Sequence, residues 1–258
     1  MQDGPVFRGV AAALVTLFRP DGELDAPATA DLALRLADLG LKAVLVAGTT
    51  GEAASLDLAE RQELLAAVRK ALPASGGVKV IAGTGAASAR QAVVLTEAAR
   101  DGGADAVLAL SAPQTADQRP YYEAIAKAAG GVPVLAYHLP AVSAPGIAPS
   151  SLADLPVDGL KDSSGDAGRL LEEITSWDRP IYVGAYHLAT LSGLVGCAGM
   201  ILGLANAEPE DCAAAFAGDP EAQLRLVQAQ RMVEKSFPAG VKRLVARRFG
   251  CSATARMG

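Results

Sequence analysis

The chain repeats one pattern eight times: a short, wholly apolar segment is followed by a longer segment in which apolar residues recur at helical spacing. Apolar segments of this length predict buried strands, and their alternation with amphipathic helices predicts a parallel sheet covered by helices. The predicted strands span residues 10–18, 43–47, 78–82, 106–110, 132–137, 157–161, 181–183 and 200–204. Eight such units within about 210 residues predict an α/β fold, a closed (β/α)8 TIM barrel.

An open, doubly wound sheet is the alternative to a closed barrel. Such a sheet would carry a glycine motif for phosphate or a dinucleotide after an early strand. Gly83-Thr84-Gly85 lacks the third glycine of that motif, so we favour the barrel, which we place over residues 7–218. Residues 219–258 are predicted to form a shortened C-terminal helical extension, with one helix over residues 219–237.

Composition narrows the class of protein. The 258 residues suit one large domain, 51% of them are hydrophobic, and the formal net charge is −5. There is no basic stripe for nucleic acid and no polybasic tract for an anionic membrane. Three cysteines without short spacing, no signal-peptide pattern and no apolar run of about 20 residues favour a cytoplasmic protein without disulfides. We predict neither a cofactor nor a metal.

Lys161 stands at the C-terminal end of the sixth predicted strand, immediately before the polar turn Asp162-Ser163-Ser164. In (β/α)8 barrels the chemistry takes place at the C-terminal ends of the strands. A strand would carry this amine inward, where burial lowers the pKa of a lysine, and a neutral amine forms a Schiff base with a ketone. The alternative interpretation is that Lys161 merely opens a solvated turn.

Two further features of the predicted barrel complement that amine. Tyr137 ends the fifth strand, and adjacent strands lie under about 5 Å apart, so its phenol would be in reach of a Schiff base at Lys161. Thr49 and Thr50 follow the second strand within residues 48–52, where amides and hydroxyls can hold a carboxylate. Taken singly, the tyrosine is equally a plug of the barrel mouth and the loop a tight turn. Together they predict a class I, pyruvate-type aldolase.

Both histidines of the chain also fall at strand ends, His138 after the fifth strand and His187 after the seventh. A histidine at such a position is either structural or part of a site, and the sequence leaves both alternatives open. We expect His138, His187 and Tyr186 to shape the pocket for a second substrate.

Four segments resemble one enzyme family in order and spacing, over about residues 7–218. The segments are 9–25 (GVAAALVTLFRPDGELD), 48–52 (GTTGE), 137–140 (YHLP, where the family usually has YNxP) and 159–166 (GLKDSSGD). They resemble the dihydrodipicolinate synthase / N-acetylneuraminate lyase family of class I aldolases. The resemblance implies a (β/α)8 barrel with Lys161 as the Schiff-base lysine and Tyr137 as the acid/base residue. It also implies that Thr49 and Thr50 hold the carboxylate of a 2-oxo acid, and that the carbonyl of Ile201 lies near the lysine.

The chain departs from that family where a second substrate would bind. Residues 112–115 (APQT) stand in place of a tyrosine-rich motif, and Val142 stands where the synthases have an arginine for aspartate semialdehyde. An apolar side chain cannot form that ion pair, so a role in lysine biosynthesis is not expected. Gly184 is kept, and we expect it to bind the substrate. Ala185 and Tyr186 replace residues that contact sugar hydroxyls in the family, so sialic acid is not expected either.

The functional hypothesis is a lyase or aldolase acting on a 2-oxo acid, pyruvate or a pyruvate-derived aldol, through Lys161 and Tyr137. Two alternatives stay open: dehydration of a 2-keto-3-deoxy sugar acid through the same imine, and a non-catalytic homologue that binds a 2-oxo acid. The expected partners are the small-molecule substrate and further copies of the chain, in a dimer or tetramer. Neither nucleic acid nor a membrane is expected.

Overall fold

Eight parallel strands close into a barrel in the computed structural model, which describes residues 4–257. Each strand pairs with its neighbour in sequence, and the eighth closes the ring by pairing with the first. The strands are β1 (Gly9–Ala13), β2 (Ala43–Val46), β3 (Lys79–Gly83), β4 (Ala106–Leu110), β5 (Val134–His138), β6 (Gly159–Asp162), β7 (Ile181–Val183) and β8 (Gly199–Leu202). The predicted (β/α)8 barrel is confirmed, and the open-sheet alternative is wrong.

Helices cover the outside of the barrel and continue beyond β8. They are α1 (Ala26–Asp38), α2 (Leu58–Ala71), α3 (Ala89–Asp101), α4 (Arg119–Ala129), α5 (Ala167–Ser176), α6 (Ala189–Leu194), α7 (Pro209–Phe216), α8 (Pro220–Val233) and α9 (Ala239–Phe249). Between β5 and β6 the chain forms a 3-10 turn, Pro149–Asp154, in place of an α-helix. Within residues 4–257, no helix has the length and apolarity needed to cross a membrane.

The pairing register of β5 and β6 sets the direction of their side chains. Tyr137 lies opposite Lys161, and His138 lies opposite Asp162. Because side chains alternate across a strand, one pair points into the barrel and the other points toward the helices. Tyr137 packs in the apolar cluster that fills the barrel, together with Ile201, so Tyr137 and Lys161 are the inward pair.

The first strand is shorter than predicted. Residues 10–18 are buried throughout, but β1 covers only the first half of this run. Leu14 still donates to the Leu45 carbonyl of β2 at 2.9 Å, but Val15 donates to Asn206 Oδ1 at 3.0 Å and Leu17 donates to Thr29 Oγ1 at 2.9 Å. The predicted strand end is wrong because buried polar side chains, which the apolar pattern does not reveal, satisfy these amides in place of a neighbouring strand.

The C-terminal extension contains two α-helices where one was predicted. Helix α8 ends at Val233, and Phe237 is extended, as expected for a residue that precedes proline. Gly240 then lets the start of α9 pack closely against α8, since a Cβ there would lie 2.7 Å from the Cα of Val233. The predicted helix over residues 219–237 is confirmed as α8 and the 3-10 turn Glu234–Ser236 that follows it, whereas α9 was not predicted.

The last described residues run back to the loop that follows β2. The amides of Arg256 and Met257 donate to the carboxylate of Glu52 at 2.8 and 2.5 Å. Lys242, on α9, forms an ion pair with the same carboxylate, and both side chains are fully buried. The C-terminal extension thus holds in place residues 48–52, the segment that we predicted to bind a carboxylate.

Candidate active site

Lys161 reaches the mouth of the barrel from the C-terminal end of β6. Its Nζ lies 4.3 Å from the centroid of the Tyr137 ring, and the two residues are only 4% and 6% exposed. Lys161 takes part in none of the ion pairs formed by the described residues. Burying an amine without a counter-ion costs stability, and such an arrangement in a cleft marks a candidate functional site.

A cavity of about 400 Å³ opens above Lys161, a size typical of small-molecule sites. It brings together eight of the nine residues predicted for the site, which are Thr49, Thr50, Tyr137, Lys161, Gly184, Tyr186, His187 and Ile201. These residues come from the ends of five strands, β2, β5, β6, β7 and β8. The cavity therefore lies where a (β/α)8 barrel is expected to carry its chemistry.

The loop after β2 is held in place on both sides. Thr50 is buried and Thr49 half-buried in the cavity wall. Gly51 has no room for a Cβ, which would meet a backbone carbonyl at 2.7 Å, and its own carbonyl accepts from Thr16 Oγ1 at 2.7 Å. Glu52 has a left-handed backbone (φ 57°) and is anchored by the C-terminal extension. The two threonines are therefore presented to the cavity from a fixed frame.

Ser163 is a residue that the sequence analysis missed. Its hydroxyl is buried, lines the cavity, and has no hydrogen-bond partner among the described residues. Gly184 makes room for it, since a Cβ there would lie 1.9 Å from Ser163 Oγ and 2.8 Å from Lys161 Cε. An unsatisfied buried hydroxyl costs about 1–3 kcal/mol, so a ligand that bonds to it is favoured. The available signal was its position two residues after Lys161, on the same side of the chain.

The structure separates His138 from the other predicted site residues. It is absent from the described lining of the cavity, and its Nδ1 accepts from the amide of Ile147 at 2.9 Å. Burial and the nearby Arg169 guanidinium lower the pKa of His138 to about 4, so its ring is neutral at pH 7. The expectation that His138 shapes the pocket is thus corrected. Because Tyr137 points inward, the next residue points outward and anchors the loop after β5.

Tyr186 and His187 lie at the rim of the cavity, on a 3-10 turn that follows β7. Their rings pack edge to face with centroids 5.1 Å apart. His187 Nε2 lies 3.0 Å from the carbonyl oxygen of Gly165, and a hydrogen bond there requires the proton on Nε2. The pair thus forms a fixed polar edge at the side of the cavity next to β6.

The tyrosines that follow β4 do not reach the cavity. Tyr121 and Tyr122 lie on α4, and their hydroxyls donate to the carbonyls of Ala86, in the loop after β3, and of Ala109, on β4. Burial raises the pKa of both phenols. Tyr137 and Tyr186 are the two phenols in the described lining, and Tyr137 is the one whose ring contacts Lys161. Tyr137 is therefore the best-placed group for proton transfer at the amine.

The described residues offer an amine, phenols and hydroxyls, and no metal-binding cluster. In residues 4–257 no three His, Cys, Asp or Glu side chains are arranged to hold a metal ion. Cys197 is buried, and burial raises the pKa of its thiol to about 12, so it is not a reactive thiolate at neutral pH.

This fold and this cavity define the chain as a (β/α)8-barrel protein with a buried lysine at the mouth of the barrel. The Dihydrodipicolinate synthetase family matches residues 6–246, and the chain belongs to that family. A curated relative, the 4-hydroxy-tetrahydrodipicolinate synthase of Pseudomonas aeruginosa, is 36% identical over 228 residues, which cover 83% of this chain and 77% of the relative. The resemblance seen in the sequence is confirmed, and the chain is an enzyme of a lyase family.

Two solved structures have the same fold. The chloride-inhibited dihydrodipicolinate synthase from Acinetobacter baumannii, complexed with pyruvate, is 26% identical, with a TM-score of 0.82 and coverage of 97% of this chain and 94% of that one. The KD(P)GA from T. tenax is also 26% identical, with a TM-score of 0.86 and coverage of 97% and 91%. The similarity therefore extends over the barrel and the C-terminal helices.

Proposed function

We propose that the chain is a class I lyase or aldolase in which Lys161 forms a Schiff base with a 2-oxo acid, either pyruvate or a pyruvate-derived aldol. The observation that carries the proposal is the buried Lys161 amine, 4.3 Å from the centroid of the Tyr137 ring. The structural relative complexed with pyruvate supports the choice of a 2-oxo acid.

The proposed reaction uses the imine as an electron sink. Lys161 Nζ attacks C2 of the 2-oxo acid, the carbonyl oxygen leaves as water, and the imine allows loss of a proton from C3. The resulting enamine forms a bond from C3 to the carbonyl carbon of an aldehyde, whose oxygen takes up a proton. Water then hydrolyses the imine to release a 4-hydroxy-2-oxo acid and the free amine, and cleavage runs the same steps in reverse. Tyr137 carries the protons in both directions.

The remaining site residues are assigned to binding. Thr49 and Thr50 hold the carboxylate of the 2-oxo acid, because the fixed loop after β2 offers hydroxyls and backbone amides to the cavity. Ser163 donates to a substrate oxygen close to the imine, since its buried hydroxyl has no partner among the described residues. Ile201, on β8, lines the cavity two strands away from Lys161 on β6.

Borohydride trapping tests the proposal. The protein is incubated with pyruvate, reduced, digested and analysed by mass spectrometry, and we expect a stable adduct on Lys161. Lys161→Ala should abolish the adduct, whereas Lys127→Ala, which removes an exposed lysine of α4, should leave it intact. The absence of an adduct, or an adduct that persists in Lys161→Ala, would contradict the proposal. Efficient trapping without turnover of any aldehyde would instead favour a non-catalytic 2-oxo-acid binder.

The expected homo-oligomer stays a prediction. The resemblance to the family implies a dimer or a tetramer. Sedimentation velocity at several protein concentrations would distinguish these states from a monomer.

A further inference from the structure

The cavity above Lys161 contains no second formally charged side chain that would bind an anion. In its described lining there is no arginine, aspartate or glutamate, and no lysine besides Lys161. Lys161 is bonded to the 2-oxo acid once the imine has formed, so its nitrogen is not free to pair with an anion on a second substrate. Because the loop with Thr49 and Thr50 is assigned to the carboxylate of the 2-oxo acid, a carboxylate or phosphate on the second substrate would find neither that loop nor a cationic side chain free to bind it, which is unfavourable.

Beyond Val142 the cavity adjoins a wider groove of about 810 Å³, which lies between the loop after β2 and helix α3. Thr49 and Val142 line both spaces, so a ligand that leaves the barrel mouth at this point enters the groove. The walls of the groove are mainly apolar and include Leu56, Leu58, Val94, Leu95, Leu110 and Met257. Apolar walls favour a substituent that leaves water on binding.

Two arginines border the groove, and neither is prepared to bind an anion inside it. The Arg61 guanidinium is committed to backbone carbonyls, those of Leu56, Gly83 and Ala53, at 3.3, 3.0 and 2.5 Å. Arg90 is exposed in the first turn of α3, where water solvates its charge. A charged substituent would gain little from either group, whereas an apolar one would gain from the walls.

We infer that the second substrate is an uncharged aldehyde with an apolar substituent, aromatic or branched aliphatic, that extends past Val142 into this groove. The inference rests on the proposed function, because the aldehyde is attacked by C3 of the enamine formed at Lys161. The new bond joins C3 to the aldehyde carbon, and the aldehyde oxygen becomes the C4 hydroxyl of the product. The apolar substituent is then carried on C4, on the groove side of the imine.

A panel of aldehydes with pyruvate tests the inference on the intact protein. We expect kcat/KM for benzaldehyde and 3-methylbutanal to exceed that for succinic semialdehyde and for glyceraldehyde by at least about 10-fold, the scale set by a few buried methylene groups. A preference for succinic semialdehyde would show that the site does bind an anionic substituent. A preference for glyceraldehyde would show that the groove does not favour an apolar substituent. Trapping of pyruvate on Lys161 is measured in parallel. Failed trapping overturns the proposed function, whereas normal trapping with the wrong preference overturns only this inference.

Three variants test whether the substituent of the aldehyde binds in this groove. Val142 is 57% exposed, so Val142→Arg should fold and should shift the preference toward succinic semialdehyde by at least about 10-fold. Val94→Asp should lower kcat/KM for the apolar aldehydes, while Leu171→Asp on α5 serves as a control, since the two side chains are 45% and 44% exposed. Pyruvate trapping should be unchanged in Val94→Asp and Leu171→Asp, which lie outside the lining of the cavity above Lys161. If Val94→Asp and Leu171→Asp affect the apolar aldehydes equally, the substituent does not bind in the groove.

Discussion

Two lysines are buried in this protein, and their surroundings are opposite. Lys242 is fully buried, forms an ion pair with Glu52, and donates to the carbonyl of Thr254 at 2.8 Å. Lys161 is 4% exposed and contacts the ring of Tyr137 without a carboxylate partner among the described residues. The amine of Lys242 is paired with a carboxylate and hydrogen-bonded, whereas the amine of Lys161 is left available to a ligand in the cavity.

The comparison separates a structural lysine from the lysine that we propose to react with substrate. Burial lowers the pKa of Lys242, and the Glu52 carboxylate opposes that shift, so this amine serves as half of a buried ion pair. An amine without such a partner is left facing the cavity, where the proposed ketone would bind, at a cost in stability. The two sites are also connected, because Glu52 directly follows the threonine loop that faces Lys161.

The largest expected effect is the loss of activity in Lys161→Met. Removing a covalent nucleophile should lower turnover by more than roughly 10⁴-fold, as for nucleophiles in other enzymes. The free energy of unfolding should stay the same or rise, because methionine keeps the aliphatic stem and removes a buried amine that has no counter-ion among the described residues. Steady-state kinetics and urea denaturation measure the two quantities. A clear loss of stability would show that Lys161 is structural, and the contrast between the lysines would fail.

Tyr137→Phe should have the next largest effect. It keeps the ring over Lys161 and removes the phenolic proton, so turnover should fall about 10²–10⁴-fold. The borohydride adduct should still form, although more slowly, and urea denaturation should show little change. Tyr186→Phe is the matched control at the rim of the same cavity and should retain most of the turnover. Equal losses in the two variants would contradict the assignment of Tyr137 as the proton carrier.

Lys242→Met is expected to act on stability. It leaves the Glu52 carboxylate buried without its partner, and breaking one side of a buried pair costs about 3–5 kcal/mol. Thermal and urea denaturation measure the loss. The double variant Lys242→Met with Glu52→Gln should recover part of it, because the amide is uncharged. Lys242→Met should also raise the pyruvate concentration needed for half-maximal trapping, since Glu52 anchors the threonine loop. Unchanged stability would show that the Lys242–Glu52 ion pair does not stabilise the fold.

Much of the reactive region was predictable from local sequence. The apolar segments define the strands, and their order places Tyr137 beside Lys161 on neighbouring strands of the barrel. The same alternation contained the signal that His138 points outward once Tyr137 points inward. Ser163 was also within reach of that rule, but its unpaired hydroxyl depends on the space left by Gly184 on β7. That space is a contact between strands and has no signature within either segment.

The structural lysine was not predictable in this way. Lys242 and Glu52 are distant in sequence, and each is typical of a solvated residue until α9 and the last residues fold back onto the loop. The close approach of α9 to α8, at Gly240 against Val233, is a contact of the same kind. Sequence periodicity describes single elements, whereas these features are created by two elements meeting.

The smallest expected effect concerns a second ion pair, which joins the C-terminal residues to helix α2. Arg256 forms a bidentate pair with Glu60 at 2.9 and 2.6 Å, with both side chains about 20% exposed. Its hydrogen bonds hold the pKa of Glu60 below the ordinary 4.5. The folded protein therefore binds this proton less readily than the unfolded chain does, so the stabilisation is present above pH 4.5 and is lost as the pH falls further.

Glu60→Gln should thus lower the free energy of unfolding by about 0.2–1 kcal/mol at pH 7, the range for partly exposed pairs. Urea denaturation at several pH values between 7 and 3 should show the difference from the wild-type protein shrinking below about pH 4.5. Glu123→Gln breaks the more exposed pair with Arg119 and should have a smaller effect. A Glu60 effect that persists unchanged in acid would mean that packing, not charge, joins the C-terminal residues to the barrel.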